Sequence, residues 1–493
     1  MKKTKLLTIL FALCITLLIF VVSISAETAR STSNLRGDAN EDGVVDTRDL
    51  IVARQYLANF DYNTGTSGMD ISSNADMDRN GSIRLLDVKL LREYIINKEN
   101  EPEIKYSEGL VFTSNGDGTC YVSSVGSCTD ADLNIPPTSP EGDEVTGIGD
   151  SAFKNCSFIE NVKFPETLKT IGKYAFENCT LLTSIDLPEE LESIGLGFLK
   201  GCNNIQSLST PFIGRDNTSG TVPDVSAQDY VLGHFFGYTY CKEFYNTQWA
   251  TTEPTFRMAE VGNKPEGTTF QYGYYIKEWI SSDQTRDYQY SYYYYIPESL
   301  KCVVVTNAIK IPKYAFVNCN NIETVFINKE ITEISSENIF KGCTSLQNIS
   351  FEEGSDLTTI ANNAFRNCIS LQEIVIPSSV TTMGTYVFYG CTSLTKVKFE
   401  DNILITEIPL GTFYKCTSLQ EITIPYSVNK ISTYVFYGCT NLTNVYFEDI
   451  ATGWYVNSNS SVATSGTNVT VENASANAIN LKSTYRAYFW FKK

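Results

Sequence analysis

The 493-residue sequence predicts an α/β repeat solenoid built on a parallel β-sheet, preceded by a small α-helical module. Two observations lead to this fold class. Nine cysteines recur every 23 to 25 residues apart from one gap of 117, and two acidic twelve-residue stretches near the N-terminus share one spacing of residue types. A period in this range is typical of a solenoid of the leucine-rich-repeat kind, in which each repeat adds a short strand to a shared sheet.

The cysteines mark one position of a repeat whose core reads Phe-x-x-Cys-x-x-Leu-x-x-Ile-x-Ile. Phe or Leu stands three residues before each cysteine, and further apolar residues stand three and six residues after it. Apolar residues at every second position, such as Ile374 and Ile376, predict a short strand. Pro377 ends this strand because proline has no N–H to donate to a neighbouring strand. The nine residues are Cys156, Cys179, Cys202, Cys319, Cys343, Cys368, Cys391, Cys416 and Cys439.

These thiols are predicted to be reduced side chains of the core. Each is flanked by apolar residues, and a free cysteine packs as a small apolar group. The alternative is a disulfide framework, as in many secreted chains. Thirteen cysteines remain without Cys14, so complete pairing within the chain is impossible. Cys120 and Cys128 lie off the repeat spacing and are the best candidates for a disulfide.

The two acidic stretches have the ligand spacing of calcium-binding loops. They read DANEDGVVDTRD (38–49) and DMDRNGSIRLLD (76–87), with oxygen donors at positions 1, 3, 5 and 12 and Gly at position 6. Short loops wrap Ca²⁺ in this way, adding a backbone carbonyl at position 7 and often a water-mediated ligand at position 9. Solvated turns are the alternative, but two such loops 38 residues apart favour metal. The predicted ligands of two Ca²⁺ ions are Asp38, Asn40, Asp42, Val44, Asp46 and Asp49, then Asp76, Asp78, Asn80, Ser82 and Asp87.

An apolar helix face follows each loop, at spacings of i, i+3 and i+7. These residues are Leu50, Ala53 and Leu57 after the first loop, and Val88, Leu91 and Ile95 after the second. The duplicated loop-and-helix unit resembles a type I dockerin, the module that attaches cellulosomal proteins to cohesin modules of a scaffold. Asp at position 12 of both loops favours a dockerin over a helix-loop-helix calcium sensor. The cohesin contacts that the resemblance implies are Thr47, Arg48, Arg54, Gln55, Leu85, Leu86, Arg92 and Glu93.

The repeats themselves resemble the BspA-like family of bacterial leucine-rich repeats. The motifs that carry the resemblance are IGDSAFKNCSFI, IGKYAFENCTLL and IANNAFRNCISL. The likeness extends over residues 145–447 apart from the gap. It implies a cell-surface or secreted protein concerned with adhesion or protein binding, and it brings no catalytic residue with it.

The N-terminus and the charge point to a secreted protein. Lys2, Lys3 and Lys5 precede an apolar run (6–22) and a group of small residues (23–26), which predicts a signal peptide cut near Ala26. No second apolar run is long enough to span a membrane. The formal charge of −18, or −21 once the three lysines are removed, argues against nucleic acid as a partner. We expect an extracellular, cell-surface, cellulosome-associated protein.

The composition predicts eight segments along the chain. They are a signal peptide (1–26), a linker (27–34), the dockerin (35–100), a linker or N-terminal cap (101–144), a first repeat block (145–208), an insertion (209–300), a second repeat block (301–450) and a C-terminal cap (451–493).

The insertion is the one large segment without the repeat pattern. It holds 13 tyrosines and the single histidine of the chain, His234. One interpretation is a subdomain packed against the solenoid with half-buried rings. The other is a binding surface, because tyrosine offers a large contact area with few rotatable bonds. The alternative interpretation of His234 and Cys241 is a nucleophilic pair, which we do not favour because an isolated histidine near an isolated cysteine is more often structural.

Three functions compete. We favour a secreted, non-catalytic binding or adhesion protein that docks through a Ca²⁺-dependent dockerin to a cohesin-bearing scaffold, with the repeat surface holding a protein or glycan. The first alternative is a dockerin-borne carbohydrate-active enzyme with a catalytic insertion, as expected for polysaccharide catabolism. The second is an inhibitor or regulator of co-assembled enzymes that uses its sheet as the contact surface. No catalytic or cofactor-binding residue is predicted.

Overall fold

The structure is a computed structural model that describes residues 60–61, 66–67, 105–216, 231–244, 266–278, 288–312, 315–334, 338–451, 453–458 and 466–492. The chain divides into two compact units, Met1–Lys105 and Tyr106–Lys493. Strands Phe60–Asp61 and Thr66–Ser67 pair antiparallel in the first unit. The predicted dockerin helices lie outside the described residues.

The second unit is a solenoid whose main sheet receives one short strand from each coil. The strand at this position alternates between buried and outward-facing residues, as in Glu421–Ile424, and pairs in parallel with its neighbour. Equivalent positions meet in register, so Leu208 lies opposite Val303, and Val303 opposite Val325. Eleven strands of the described residues occupy this row: Asp132–Asn134, Asn161–Lys163, Ser184–Asp186, Ser207–Thr210, Cys302–Val305, Thr324–Ile327, Asn348–Phe351, Glu373–Ile376, Lys396–Phe399, Glu421–Ile424 and Asn444–Phe447. The predicted leucine-rich-repeat solenoid with a parallel sheet is confirmed.

A second row of strands lies on another side of each coil. Most of them contain two residues, and the second residue, such as Ile334 or Ile360, is buried while its neighbour is partly exposed. The row comprises Thr119–Ser124, Glu144–Ile148, Thr170–Ile171, Ser193–Ile194, Glu333–Ile334, Thr359–Ile360, Thr382–Met383, Glu407–Ile408 and Lys430–Ile431. A coil with strands in both rows therefore contributes buried apolar side chains to the core from each row.

The core of the second repeat block is a stack of phenylalanines. Each ring is fully buried, and successive centroids are 4.9–5.5 Å apart with interplanar angles of 1–14°. The stacked rings are Phe316, Phe340, Phe365, Phe388, Phe413 and Phe436. Because each ring contacts only the coils before and after it, the stack couples neighbouring repeats, as expected of a quasi-one-dimensional fold.

The predicted insertion contains one further coil of the solenoid. The strand Ser207–Thr210 pairs directly with Cys302–Val305, so the main sheet passes the gap in the cysteine spacing without interruption. The short 3₁₀-helix Leu232–Phe236 supplies the turn of this coil. The Leu199 N–H donates to the Phe235 carbonyl at 2.9 Å, and the Leu232 N–H donates to the Ala315 carbonyl at 2.9 Å.

Between this turn and its strand lies a three-stranded antiparallel sheet made of Tyr238–Phe244, Thr268–Glu278 and Tyr288–Pro297. The last of these strands is the central one, since it pairs with both of the others. The Tyr-rich segment is thus inserted between the turn and the strand of one otherwise regular coil.

Antiparallel strands and a helix cover the two ends of the solenoid. At the N-terminal end Val111–Ser114 pairs antiparallel with Thr119–Ser124. At the C-terminal end the antiparallel strands are Trp454–Asn457, Thr467–Val469 and Phe489–Lys492, and the last also pairs with Lys430–Ile431. The helix Ala474–Ile479 continues into a π-helical turn, Asn480–Thr484. Asn477 of this helix donates from Nδ2 to the Val445 carbonyl at 2.9 Å, which satisfies an acceptor of the final main-sheet strand.

Candidate binding surfaces

The repeat cysteines are structural. All nine are free and buried, as predicted. The thiol of Cys391, for example, donates to the Phe365 carbonyl of the preceding coil at 3.1 Å. Six further cysteines make the same contact at 2.9–3.1 Å: Cys179, Cys202, Cys343, Cys368, Cys416 and Cys439. Burial raises the pKa of Cys202, Cys343 and Cys439 to about 12, so these thiols stay protonated and are not nucleophiles.

The prediction that Cys128 lies outside the repeat pattern is wrong. Cys128 occupies the repeat-cysteine position of the coil that precedes Cys156. Its N–H donates to the Val125 carbonyl at 3.1 Å, the contact that Cys156 makes to Phe153 at 3.2 Å. Burial raises the pKa of Cys156, and the neighbouring Cys128 raises it further. Cys120 and Cys128 are both free and buried, so the bridge considered between them is not formed.

The residue directly before each repeat cysteine adopts a left-handed backbone. In all nine repeats φ lies between 55° and 79°, the region that favours glycine and asparagine. Eight of the nine positions are Asn or Gly, and the ninth is Lys415 at φ 60°. Asn155 and Asn178, two coils in succession, also join their side chains by a hydrogen bond of 2.8 Å.

The position two before each cysteine forms a column along the coils, and most of its side chains are partly exposed. In the first block it holds an ionic row, in which the half-exposed Lys154 and Lys200 pair with Glu177 at 2.7 Å and 3.1 Å. Burial alone would raise the pKa of Glu177, but the hydrogen bonds and charges of the two lysines lower it overall.

In the last coils the same column is aromatic. Tyr389 stacks on Tyr414 with centroids 5.0 Å apart at 12°, and Tyr414 lies 4.9 Å from Tyr437 at 35°. Tyr386 and Tyr434, five residues before their cysteines, contact this row edge-on at 6.0 Å. We call these five residues the aromatic strip. Partial or full exposure of all five makes the strip a candidate contact surface.

Cations lie over the strip at its two ends and in the middle. The Arg366 guanidinium is 4.5 Å from the Tyr389 centroid, Lys415 Nζ is 5.8 Å from Tyr414, and the Arg486 guanidinium is 5.1 Å from Tyr437. This surface was not predicted from the sequence, in which the insertion is the segment richest in tyrosine. The repeated segment TYVFYGC (385–391 and 433–439) was the available signal.

The insertion is joined to the solenoid by buried polar contacts. The fully buried Gln271 accepts from the Gly233 N–H at 2.7 Å through Oε1 and donates through Nε2 to the Ala315 carbonyl at 2.8 Å. Tyr294 is also fully buried, and it lies so close to Gly233 that a Cβ there would be 2.1 Å from the Tyr294 Cβ. The packed-subdomain interpretation therefore holds for Tyr294. The rings of most other insertion tyrosines lie outside the described residues.

The predicted calcium ligands and cohesin contacts lie outside the described residues, so they stay predictions. So does Cys241, which is described in its backbone only. Its proposed partner His234 is buried and directs Nε2 at the Ile194 carbonyl, 3.0 Å away, which fixes the imidazole within the fold. Among the described residues there is no group of three or more His, Cys, Asp or Glu side chains arranged to hold a metal, and no helix long and apolar enough to cross a membrane.

Models of two known families match segments of the chain. A model of the type I dockerin domain matches residues 36–96. A model of the BspA type leucine rich repeat region matches residues 136–215 and 335–461, in six copies. The chain combines a type I dockerin domain with BspA-type leucine-rich repeats. Neither is a known catalytic family. No protein of curated function matches the chain.

Solved structures of leucine-rich-repeat proteins are similar to this chain at low identity. A leucine rich cell surface protein of Faecalibacterium prausnitzii is 17% identical over 71% of this chain and 96% of its own, with a TM-score of 0.26. A leucine-rich repeat protein of Bacteroides ovatus is 20% identical over 69% and 88%, with a TM-score of 0.26. The leucine rich repeat protein of T. pallidum is 16% identical over 61% and 92%, with a TM-score of 0.27. The fold assignment rests on the repeats described above.

Proposed function

We propose that the chain is a secreted, non-catalytic binding or adhesion protein. It docks through the dockerin to a cohesin module of a scaffold, in a Ca²⁺-dependent manner, and displays the repeat surface to a protein or glycan partner. The observation that carries the proposal is the presence of a dockerin match and a repeat match in one chain. The dockerin provides attachment, and the solenoid provides a long regular surface of the kind that repeat proteins use for binding.

Calcium has a structural role in this proposal. A type I dockerin domain implies Ca²⁺, and the oxygen donors of both loops suit this hard cation. The residues that would hold the ions are those named above, from Asp38 to Asp49 and from Asp76 to Asp87. Binding couples to folding of a small module, because the ligands converge only in the folded state.

Capture on cohesin-coated beads tests the docking. We expect the mature chain to be retained in Ca²⁺ and released by a chelator, and the double variant Asp38→Ala, Asp76→Ala to be lost from the beads. Asp401→Ala is the matched control, because Asp401 is an exposed carboxylate of the solenoid. The proposal would be contradicted if the beads retained the chain equally without Ca²⁺ and retained the double variant as well as the wild type.

Non-catalytic function has a separate test. Incubation of the mature chain with polysaccharides and with peptides should release no reducing ends and no cleaved peptide. Robust turnover of either substrate would favour the enzyme alternative instead.

A further inference from the structure

We propose that the aromatic strip binds an extended carboxylated polysaccharide, an inference that rests on the proposed binding role of the repeat surface and names its ligand class. The strip is a continuous row over three successive coils, with Tyr389, Tyr414 and Tyr437 about one ring spacing apart. A linear polymer is the shape of ligand that follows such a row.

The chemistry of the exposed surface favours a negative ligand. The rings of Tyr389, Tyr414 and Tyr437 cover one another's faces and the three residues are partly exposed, so we expect ring edges and hydroxyl groups to be the parts that a ligand meets. Aromatic ring edges carry the positive end of the ring quadrupole. Phenol hydroxyls donate hydrogen bonds to carboxylates and sugar oxygens.

The charge around the strip is positive although the chain is acidic. Arg366, Lys415 and Arg486 lie over its rings. None of the three forms an ion pair with another residue of the described chain. The three turns (384–391, 409–416 and 432–439) contain no Asp or Glu, in a chain whose net charge is −18.

The first repeat block shows the contrast. Tyr174 there has the same position as Tyr386, and Lys200 Nζ lies 5.3 Å from its ring centroid. Glu177 forms ion pairs with that cation and with Lys154. The same column is therefore internally paired in the first block and open to an anion in the last coils.

Three residues at the strip have a strained backbone. Tyr386 and Tyr434 both have φ 56°, and Lys415 has φ 60°. Bulky side chains rarely adopt this conformation, whose cost is about 1–2 kcal/mol for each residue. Tyr174 in the first block also has φ 56°, so this conformation at the tyrosine position belongs to the repeat, whereas Lys415 stands where the other eight repeats have Asn or Gly. A strained residue such as Lys415, which departs from the pattern of the other repeats, is a candidate for a role in binding.

The backbone of the strip argues for a polysaccharide over a peptide. The Tyr386 N–H donates to the Leu410 carbonyl at 2.9 Å, the Lys415 N–H to the Tyr437 carbonyl at 2.7 Å and the Tyr434 N–H to the Arg486 carbonyl at 2.6 Å. An extended peptide gains affinity mainly by main-chain hydrogen bonds to an exposed edge, and these donors are already used. A uronate polymer needs no such edge, because each sugar carries its own carboxylate and hydroxyls.

The test measures binding of polygalacturonate to the full mature chain by affinity electrophoresis and by calorimetry. We expect Lys415→Asn to weaken binding about fivefold, the loss of one exposed ion pair. Tyr414→Leu should weaken it about tenfold by removing the central ring. Lys398→Asn and Tyr446→Leu are matched controls, because both residues are exposed on the main sheet, away from the strip. Added salt should weaken binding.

Several results would overturn the inference. These are equal binding of the fully methyl-esterified polymer, binding of poly-glutamate as tight as that of polygalacturonate, or strip variants that bind like the controls. Asn occupies the position of Lys415 in other coils, so Lys415→Asn remains folded and informative even if Tyr414→Leu unfolds. Cohesin capture of the same samples separates the two proposals. Loss of polymer binding with capture intact contradicts this inference alone, and loss of capture with polymer binding intact contradicts the docking proposal alone.

Discussion

Removal of one ring from the phenylalanine stack should open the solenoid locally. Phe388 is fully buried between Phe365 and Phe413, with centroids 5.4 Å and 5.5 Å away and rings nearly parallel. Phe388→Ala removes both contacts and leaves a cavity that the neighbouring coils cannot fill without leaving their register.

The expected cost follows from these contacts. A buried Phe→Ala change costs about 3–5 kcal/mol, and two stacked pairs at about 0.5–1.5 kcal/mol each place this site in the upper part of that range. Phe388→Leu should cost less, about 1–3 kcal/mol, because leucine fills most of the site but loses both stacked pairs. Leu199 occupies the same repeat position and is fully buried.

The buried cysteines report such opening directly. Burial holds the pKa of Cys368, Cys391 and Cys416 far above its usual value, so their thiols react with a labelling reagent only after the coils separate. A loss of 3 kcal/mol raises the open population, and with it the labelling rate of these three residues, roughly 100-fold. Mass spectrometry of the labelled peptides assigns each rate.

The location of the effect is decisive. Each repeat contacts only its neighbours, so Cys179 in the first block should label at nearly the wild-type rate. Equal acceleration at Cys179 and Cys391 would refute local coupling and show one cooperative unit. An unchanged rate at Cys391 would refute the energetic role of the stack.

Three further changes have defined outcomes. Gly233→Ala should release the insertion, because its Cβ would be 2.1 Å from the Tyr294 Cβ, and limited proteolysis should then cut the insertion faster than in wild type. Lys415→Asn should stabilise the chain by about 1 kcal/mol by relieving the left-handed backbone, seen as a higher melting temperature; a lower one would contradict the strain. Glu177→Gln should lower the melting temperature above about pH 4.5. The paired lysines lower the pKa of Glu177, so its contribution is lost as the pH falls through that lowered value, and the two melting curves should converge in acid.

The sequence predicts the repeats well where their pattern is local. The cysteines, the preceding phenylalanines and the alternating strand residues all follow from spacing, because each sits at one fixed place in the coil. Cys128 was missed because Val125 replaces the usual aromatic residue and its strand begins earlier, with Leu133 five residues after the cysteine. The coil within the insertion was missed because its turn, Leu232–Phe236, contains no cysteine and lies far from its strand, Cys302–Val305.

The aromatic strip could not be predicted by reading one repeat at a time. Its tyrosines are 25 and 23 residues apart and meet only when coils stack. Lys415 itself has a left-handed backbone, and its ammonium lies over the Tyr414 ring. Arg486 comes from the C-terminal segment, and its carbonyl accepts a hydrogen bond from the Tyr434 N–H. Contacts of this kind depend on the register in which the coils stack. The spacing of residue types does not determine that register.

The most direct measurement for the proposed docking is cohesin capture of the intact chain against free Ca²⁺ concentration. We expect no capture without Ca²⁺, saturable capture as Ca²⁺ rises, and complete reversal when a chelator is added. A chain that binds cohesin equally at every Ca²⁺ concentration, or that binds no cohesin when Ca²⁺ is saturating, would contradict the docking proposal.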